Sequence, residues 1–183
     1  MVTDNAECHI RRWLLQFVVG LNLCPFARPF LEAPNLRIAI CEKSRIAEVR
    51  EALLQEMDLL RSSTEQEVAT TLLAVPFALS DFEDYLQFVD EAQAMLVGAG
   101  LEGILQLASF HPHYRFAGEP PESASHFSNR SPYPLVHLLR EDMVSRALKH
   151  FVDPEQIPNR NIEALNAIGV DALEQRWQAL FAR

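Results

Sequence analysis

The sequence predicts an α/β fold: a small three-stranded, mostly parallel sheet with helices packed on it and a helical carboxyl-terminal region. Three observations predict it. Short apolar runs suited to buried strands occur at residues 36–41 (LRIAIC), 70–75 (TTLLAV) and 104–110 (ILQLASF). Residues 44–61 and 80–96, which separate those runs, carry helical periodicity. Connections of that length between successive strands favour crossovers, and therefore parallel pairing.

Taken in order, residues 4–21 place Ile10, Trp13, Leu14, Phe17, Val18 and Leu21 on one helical stripe. Pro25, Pro29 and Pro34 then interrupt regular structure before the first strand. Pro76 stops the second strand. Ser80, with Glu83 three residues on, reads as a capping box, and Gly98 and Gly100 supply the end of the helix it opens. Residues 111–134 lack periodicity and hold 5 of the 11 prolines and 3 of the 6 histidines, which marks a functional connection. Tyr114, Phe116, Phe127 and Tyr133 give it apolar anchors. A helix is expected from Leu135 to about His150. Asp153, Pro154 and Gln156 look like a cap, a first-turn proline and a capping-box partner. Two short helices separated by Gly169 finish the chain. With no repeat, linker or low-complexity tract, residues 1–183 read as one domain.

Composition narrows the function. The 183 residues are 49% hydrophobic, enough for one ordinary core, and no apolar run approaches the length of a membrane span. The opening MVTDNAECHIRRW lacks the basic-then-apolar order of an export signal, so a cytoplasmic protein is expected. Cys8, Cys24 and Cys41 are odd in number and have no CxxC spacing, which fits free thiols. A net charge of −9 disfavours nucleic acid and anionic membrane as partners, although a small anion could still meet a locally basic pocket. There is no Walker A run, GxGxxG, HExxH or GxSxG, so the chemistries those motifs mark are without support.

Four segments carry candidate chemistry. In HPHYRF, Pro112 pushes His111 toward extended geometry, and His113 two residues on would project to the same side, either as a substrate or metal clamp or as histidines that bond loop carbonyls and hold the connection down. In SNRSPYPLVHLLRE, prolines stiffen the entry to the expected helix, around which Arg140 falls on the apolar side with Met143, Val144, Ala147 and Phe151. His137 and Glu141, four apart, would meet on the same helix. Arg115, Arg130 and Arg140 would then form a planar-donor cradle for a carboxylate or phosphate, helped by Asn129, Tyr133 and the helix amino terminus, beside the plainer reading of Arg140 in a structural ion pair with an Asp or Glu. Cys24, in NLCPFA, is held extended by Pro25 and is a candidate nucleophile with His111 or His137 as base, beside the plainer reading of an inert buried thiol. Asn159, Arg160 and Asn161 look like helix-start residues, with Arg160 or Asn161 reaching a site as the lesser reading.

The strings NLCPFA, FHPHYRFAG and SNRSPYPLVHLLRE, followed by the IPNRNIEALNAIG tail, resemble a bacterial family known only as a domain of unknown function. That resemblance covers most of the chain. It implies that Asn22, Cys24, Pro25, His111, His113, Arg115, Asn129, Arg130, Ser131, Pro132, Tyr133, His137 and Arg140 are motif positions, and it supplies no roles for them.

The leading expectation is a small enzyme of unassigned reaction. Its cleft, beyond the third strand, would bind an anionic metabolite or modified peptide through Arg115, Arg130 and Arg140, with His111, His113 or His137 moving protons. The first rival is a divalent metal site, zinc or iron, on His111, His113 and His137 with Cys24 or Glu141 as fourth ligand. The second is a non-catalytic partner protein that docks through exposed Phe116, Phe127 and Tyr133. The sequence calls for no cofactor and leaves oligomeric state open.

Overall fold

A computed structural model describes residues 2–149 and 151–182. Helix α1 (Val2–Trp13) runs directly into a π-helical turn, Leu14–Val19, so the single amphipathic helix expected here changes its winding midway. The wider π turn ends at Gly20, where a Cβ would stand 2.5 Å from the Gln16 carbonyl oxygen, so only glycine fits. Asn22 then takes a left-handed conformation (φ 54°), one that asparagine tolerates better than most residues, and turns the chain back. The short helix α2 (Arg28–Leu31) follows and leads into β1 (Leu36–Ile40).

Helix α3 (Ile46–Ser62) leads to β2 (Thr70–Ala74), and α4 (Phe82–Gly98) leads to β3 (Leu105–Phe110). The cap of α4 is Asp81, whose carboxylate accepts the Glu83 and Asp84 N–H groups, one residue beyond the expected Ser80. A 3-10 helix (Ala124–Ser128) breaks the long connection after β3.

Beyond it the expected helix at Leu135 is a fourth strand, β4 (Leu135–Arg140), and helix α5 (Glu141–Lys149) begins only where that strand ends. LVHLLR has both an apolar run and a leucine-rich helical look, and its partners decide the matter. The strand fills the gap between β2 and β3. The sheet order is β1-β2-β4-β3, with β1 and β2 parallel and β4 antiparallel to both its neighbours. The sheet is therefore four-stranded and mixed rather than three-stranded and mostly parallel.

A 3-10 turn (Pro154–Gln156), α6 (Ile157–Ile168) and α7 (Val170–Ala179) complete the described residues. Asp153 takes a left-handed conformation and makes no side-chain cap, and Asn159, Arg160 and Asn161 lie inside α6 rather than ahead of it. The expected helix end at His150 lies outside the described residues. Among those described, no helix is long and apolar enough to cross a membrane.

Strand alternation sorts the sheet into two cores. Leu73, Val136, Leu138 and Leu105 pack toward α3 and α4 with Leu53, Leu60, Tyr85 and Phe88. Leu72, Ala74 and Leu135 face the other way, toward Trp13, Phe17, Phe127, Leu165 and Leu173. His137 pairs in register with Leu72 on one side and Ala108 on the other, so it shares this second face near the middle of the sheet.

Candidate functional site

On that second face the packing is incomplete. A cavity of about 520 Å³ lies over the sheet, within the range of small-molecule sites. Its floor is Thr70, Leu72, Gln106, Ala108, Phe110, His137 and Leu139. Its walls come from Trp13, Leu14, Val18 and Val19 of α1 and the π turn, from Cys24 to Ala27, from Pro29 to Leu31 of α2, and from Met143, Val144 and Ala147 of α5. The apolar stripe expected around residues 143–147 is thus real, and it faces this space. None of the lining side chains carries a fixed charge.

Polarity enters at few points. His137 Nε2 lies 2.6 Å from Thr70 Oγ1, and the same hydroxyl lies 2.7 Å from the Leu138 carbonyl oxygen. A carbonyl only accepts, so the Thr70 proton is committed to Leu138 and the imidazole must donate from Nε2. Nδ1 is then a bare lone pair, with no hydrogen-bond partner among the described residues. The ring lies deep in the molecule, where desolvation pulls its pKa down to about 4, yet it keeps some contact surface on the cavity it lines. His137 is therefore neutral at ordinary pH. Trp13 contributes ring carbons, its own indole N–H being buried without a partner.

Cys24 reaches the cavity because the Asn22 turn and the π-helix place it there, its N–H bonding to the Val18 carbonyl. Asn161 of α6 braces the same turn, donating from Nδ2 to the Leu23 carbonyl at 2.8 Å. Burial raises the Cys24 pKa, while N–H groups of Phe26 and Ala27 that reach the sulfur act against that rise. It is a thiol at neutral pH.

The other predicted site residues stand elsewhere. His111 is fully buried, with Nδ1 accepting the His113 N–H at 3.0 Å and Nε2 donating to the Leu79 carbonyl at 2.9 Å. Burial lowers its pKa, and both nitrogens are spent on holding the loop. The chain turns at this point, with the Tyr114 N–H on the His111 carbonyl, and the exposed His113 keeps its ring beside that of His111, centroids 5.8 Å apart. His126 repeats the device, its Nδ1 accepting the Phe116 N–H and its Nε2 donating to the Pro120 carbonyl. His111, His113 and His137 do not converge, and among the described residues no group of three His, Cys, Asp or Glu side chains is placed to hold a metal ion.

Nor does Arg140 join the other two arginines. Arg140 ends β4 opposite Leu105, the start of β3, whereas His111 follows Phe110 at the far end. Arg140 also points to the opposite sheet face from His137, being three residues along a strand. Its guanidinium donates to the Ser63 and Val68 carbonyls at 2.8–3.1 Å. Arg130 precedes β4, pairs with Glu174 at 3.2 Å and lies over the Phe127 ring at 4.4 Å. Desolvation lowers its pKa, Glu174 opposes that shift, and the nearby Arg115 charge adds to it. Arg115 itself is exposed.

Asn129 ties the loop to β3, its Nδ2 on the Ser109 carbonyl and its own carbonyl accepting the His111 N–H. Tyr133 hydrogen-bonds His9 Nδ1 at 2.7 Å. Ser131 donates to the Tyr133 carbonyl, and Pro132 is buried. The aromatic docking surface is not formed as expected, since Phe127 is buried and Phe116 and Tyr133 are only partly exposed. Of the expected site residues, the structure brings Cys24 and His137 to this cavity, and the others do not line it. Thr70, Gln106 and Trp13 were missed, because a strand threonine, a strand glutamine and a core tryptophan carry no motif of their own.

A family model described as a protein of unknown function (DUF1415) matches residues 5–175. No curated protein and no solved structure matches the chain.

Proposed function

Given that the chain belongs to the DUF1415 family of proteins of unknown function, we propose that it binds a small, largely apolar molecule in the cavity between the sheet and the Cys24 turn. One observation carries this reading: a space of about 520 Å³ with hydrocarbon walls and a few convergent polar groups, Cys24, Thr70, Gln106 and His137. A void of this size inside a core forfeits dispersion contacts, and filling it recovers them. The uncharged wall of this cavity favours an uncharged ligand there over the anion expected from the arginines, which do not line it.

The test uses a substitution that fills the space. Ala108→Phe projects a ring from the sheet floor into the cavity. A panel of uncharged aromatic and aliphatic compounds is screened by thermal shift against both proteins. Hits that raise the melting temperature of the parent and leave Ala108→Phe unmoved support the reading. Equal shifts in both proteins, or no hit with the parent, contradict it.

A further inference from the structure

An imidazole that is neutral, desolvated and already donating from one nitrogen has one unmet need, a donor for the other. His137 is in that position. Its Nε2 proton is committed to Thr70 Oγ1, and its Nδ1 has no donor among the described residues, in a ring that lines the cavity. The remaining walls limit what can answer it. Free carboxylates and phosphates would enter without a counter-charge, since the lining includes no Arg or Lys, and an unpaired ion in such surroundings is strongly disfavoured. A ketone or ether offers only an acceptor and leaves Nδ1 unpaired, which costs the desolvation of that lone pair. A hydroxyl donates and also accepts, so it meets Nδ1 and keeps an oxygen that accepts from a further donor, and the cavity lining includes two donor-bearing side chains, Gln106 and Cys24.

Resting on the reading of this cavity as a binding site, we infer that its occupant is an uncharged, mainly hydrocarbon molecule bearing a hydroxyl group, an alcohol or a phenol, whose O–H donates to His137 Nδ1. The Thr70 hydroxyl makes that choice structural, because it fixes the tautomer before any ligand arrives.

The experiment compares compounds that share a skeleton and differ in one atom's role. Calorimetric affinities are measured for 4-butylphenol, 4-butylanisole, butylbenzene and 4-butylbenzoate, and for 1-octanol beside heptyl methyl ether. A hydroxyl preference of about tenfold is expected within at least one matched set, the size of one hydrogen bond to a desolvated acceptor. The set that shows it tells a phenol from an alcohol. The benzoate is expected not to bind. In His137→Leu the preference for the hydroxyl compound over its matched ether and hydrocarbon should fall to within twofold. Should that variant misfold, the comparison on the parent protein decides alone. Butylbenzene binding with no hydroxyl preference in either set, or a benzoate that binds best, overturns the inference and leaves the cavity reading standing. Failure of every compound to bind overturns the cavity reading itself.

Discussion

Thr70 Oγ1 bridges His137 Nε2 and the Leu138 carbonyl at 2.6 and 2.7 Å, so a hydroxyl on β2 dictates which nitrogen of a β4 imidazole is left bare. The bridge crosses two antiparallel neighbours on one sheet face. Thr70→Val keeps the side-chain shape and deletes the hydroxyl, stranding the Nε2 proton. Urea denaturation should show a loss of about 1–3 kcal/mol, the usual cost of orphaning a buried polar group. An unchanged midpoint would contradict the bridge.

Burial of a neutral His137 predicts a pH dependence. Its folded-state pKa of about 4 lies below the ordinary histidine value near 6.5, so the unfolded chain binds the proton more readily. The contribution is complete above about pH 6.5 and drains away as pH falls toward 4, by about 1.4 kcal/mol per unit. The total is about 3 kcal/mol, with carboxylates adding slopes of their own. His137→Leu removes this component alone, and its stability curve should be flatter between pH 7 and 4.5. Parallel curves for the two proteins would refute a buried neutral imidazole.

Arg140 predicts a purely structural phenotype. Its guanidinium gathers the Ser63 and Val68 carbonyls where α3 gives way to β2. Arg140→Gln should cost about 1.5–3 kcal/mol in chemical denaturation, as expected for bonds from a charged donor. Arg140→Lys should recover little, because a single ammonium lacks the planar fork that serves two carbonyls. Ligand affinity at the cavity should be unchanged in either variant that folds. A selective loss of binding with full stability would contradict this assignment.

Gly20 predicts intolerance at the exit of the π turn. A methyl group there meets the Gln16 and Leu15 carbonyl oxygens at 2.5 and 2.8 Å, and backbone cannot rotate away as a side chain can. Gly20→Ala should destabilise by about 1–3 kcal/mol, comparable to overpacking a core. It should also weaken binding at the cavity, since the turn carries Val18, Val19 and Cys24 into its wall. A fully stable variant would mean that the turn rewinds as ordinary α-helix.

Much of this organisation was legible in the sequence. The strands at 36–41, 70–75 and 104–110 and the helices between them follow from apolar runs and periodicity, and the pair Asn22 and Cys24 stands out beside Pro25. The decisive misreading was local. LVHLLR suits a helix as well as a buried strand, and only the open slot between β2 and β3 selects the strand. With that change the side-chain period drops from 3.6 to 2, and His137 and Arg140, close together around a helix, move to opposite faces of a sheet. The arginine cradle dissolves for the same reason. Short clusters such as HPHYRF look chemical because histidine is rare, yet His111 and His126 each serve as a two-ended tie between backbone groups. Thr70 was unreadable because its role exists only once β4 lies beside β2.

The most direct measurement is the nitrogen-15 NMR spectrum of the histidine side chains, with His137 assigned by its loss in His137→Leu. The Thr70 bridge and the cavity together predict a neutral ring protonated at Nε2 and bare at Nδ1 from pH 8 to 5, with the Nδ1 resonance moving when 4-butylphenol is added and remaining still in Ala108→Phe. An Nδ1-protonated tautomer, titration near pH 6.5, or an Nδ1 signal indifferent to every hydroxylated compound would contradict it.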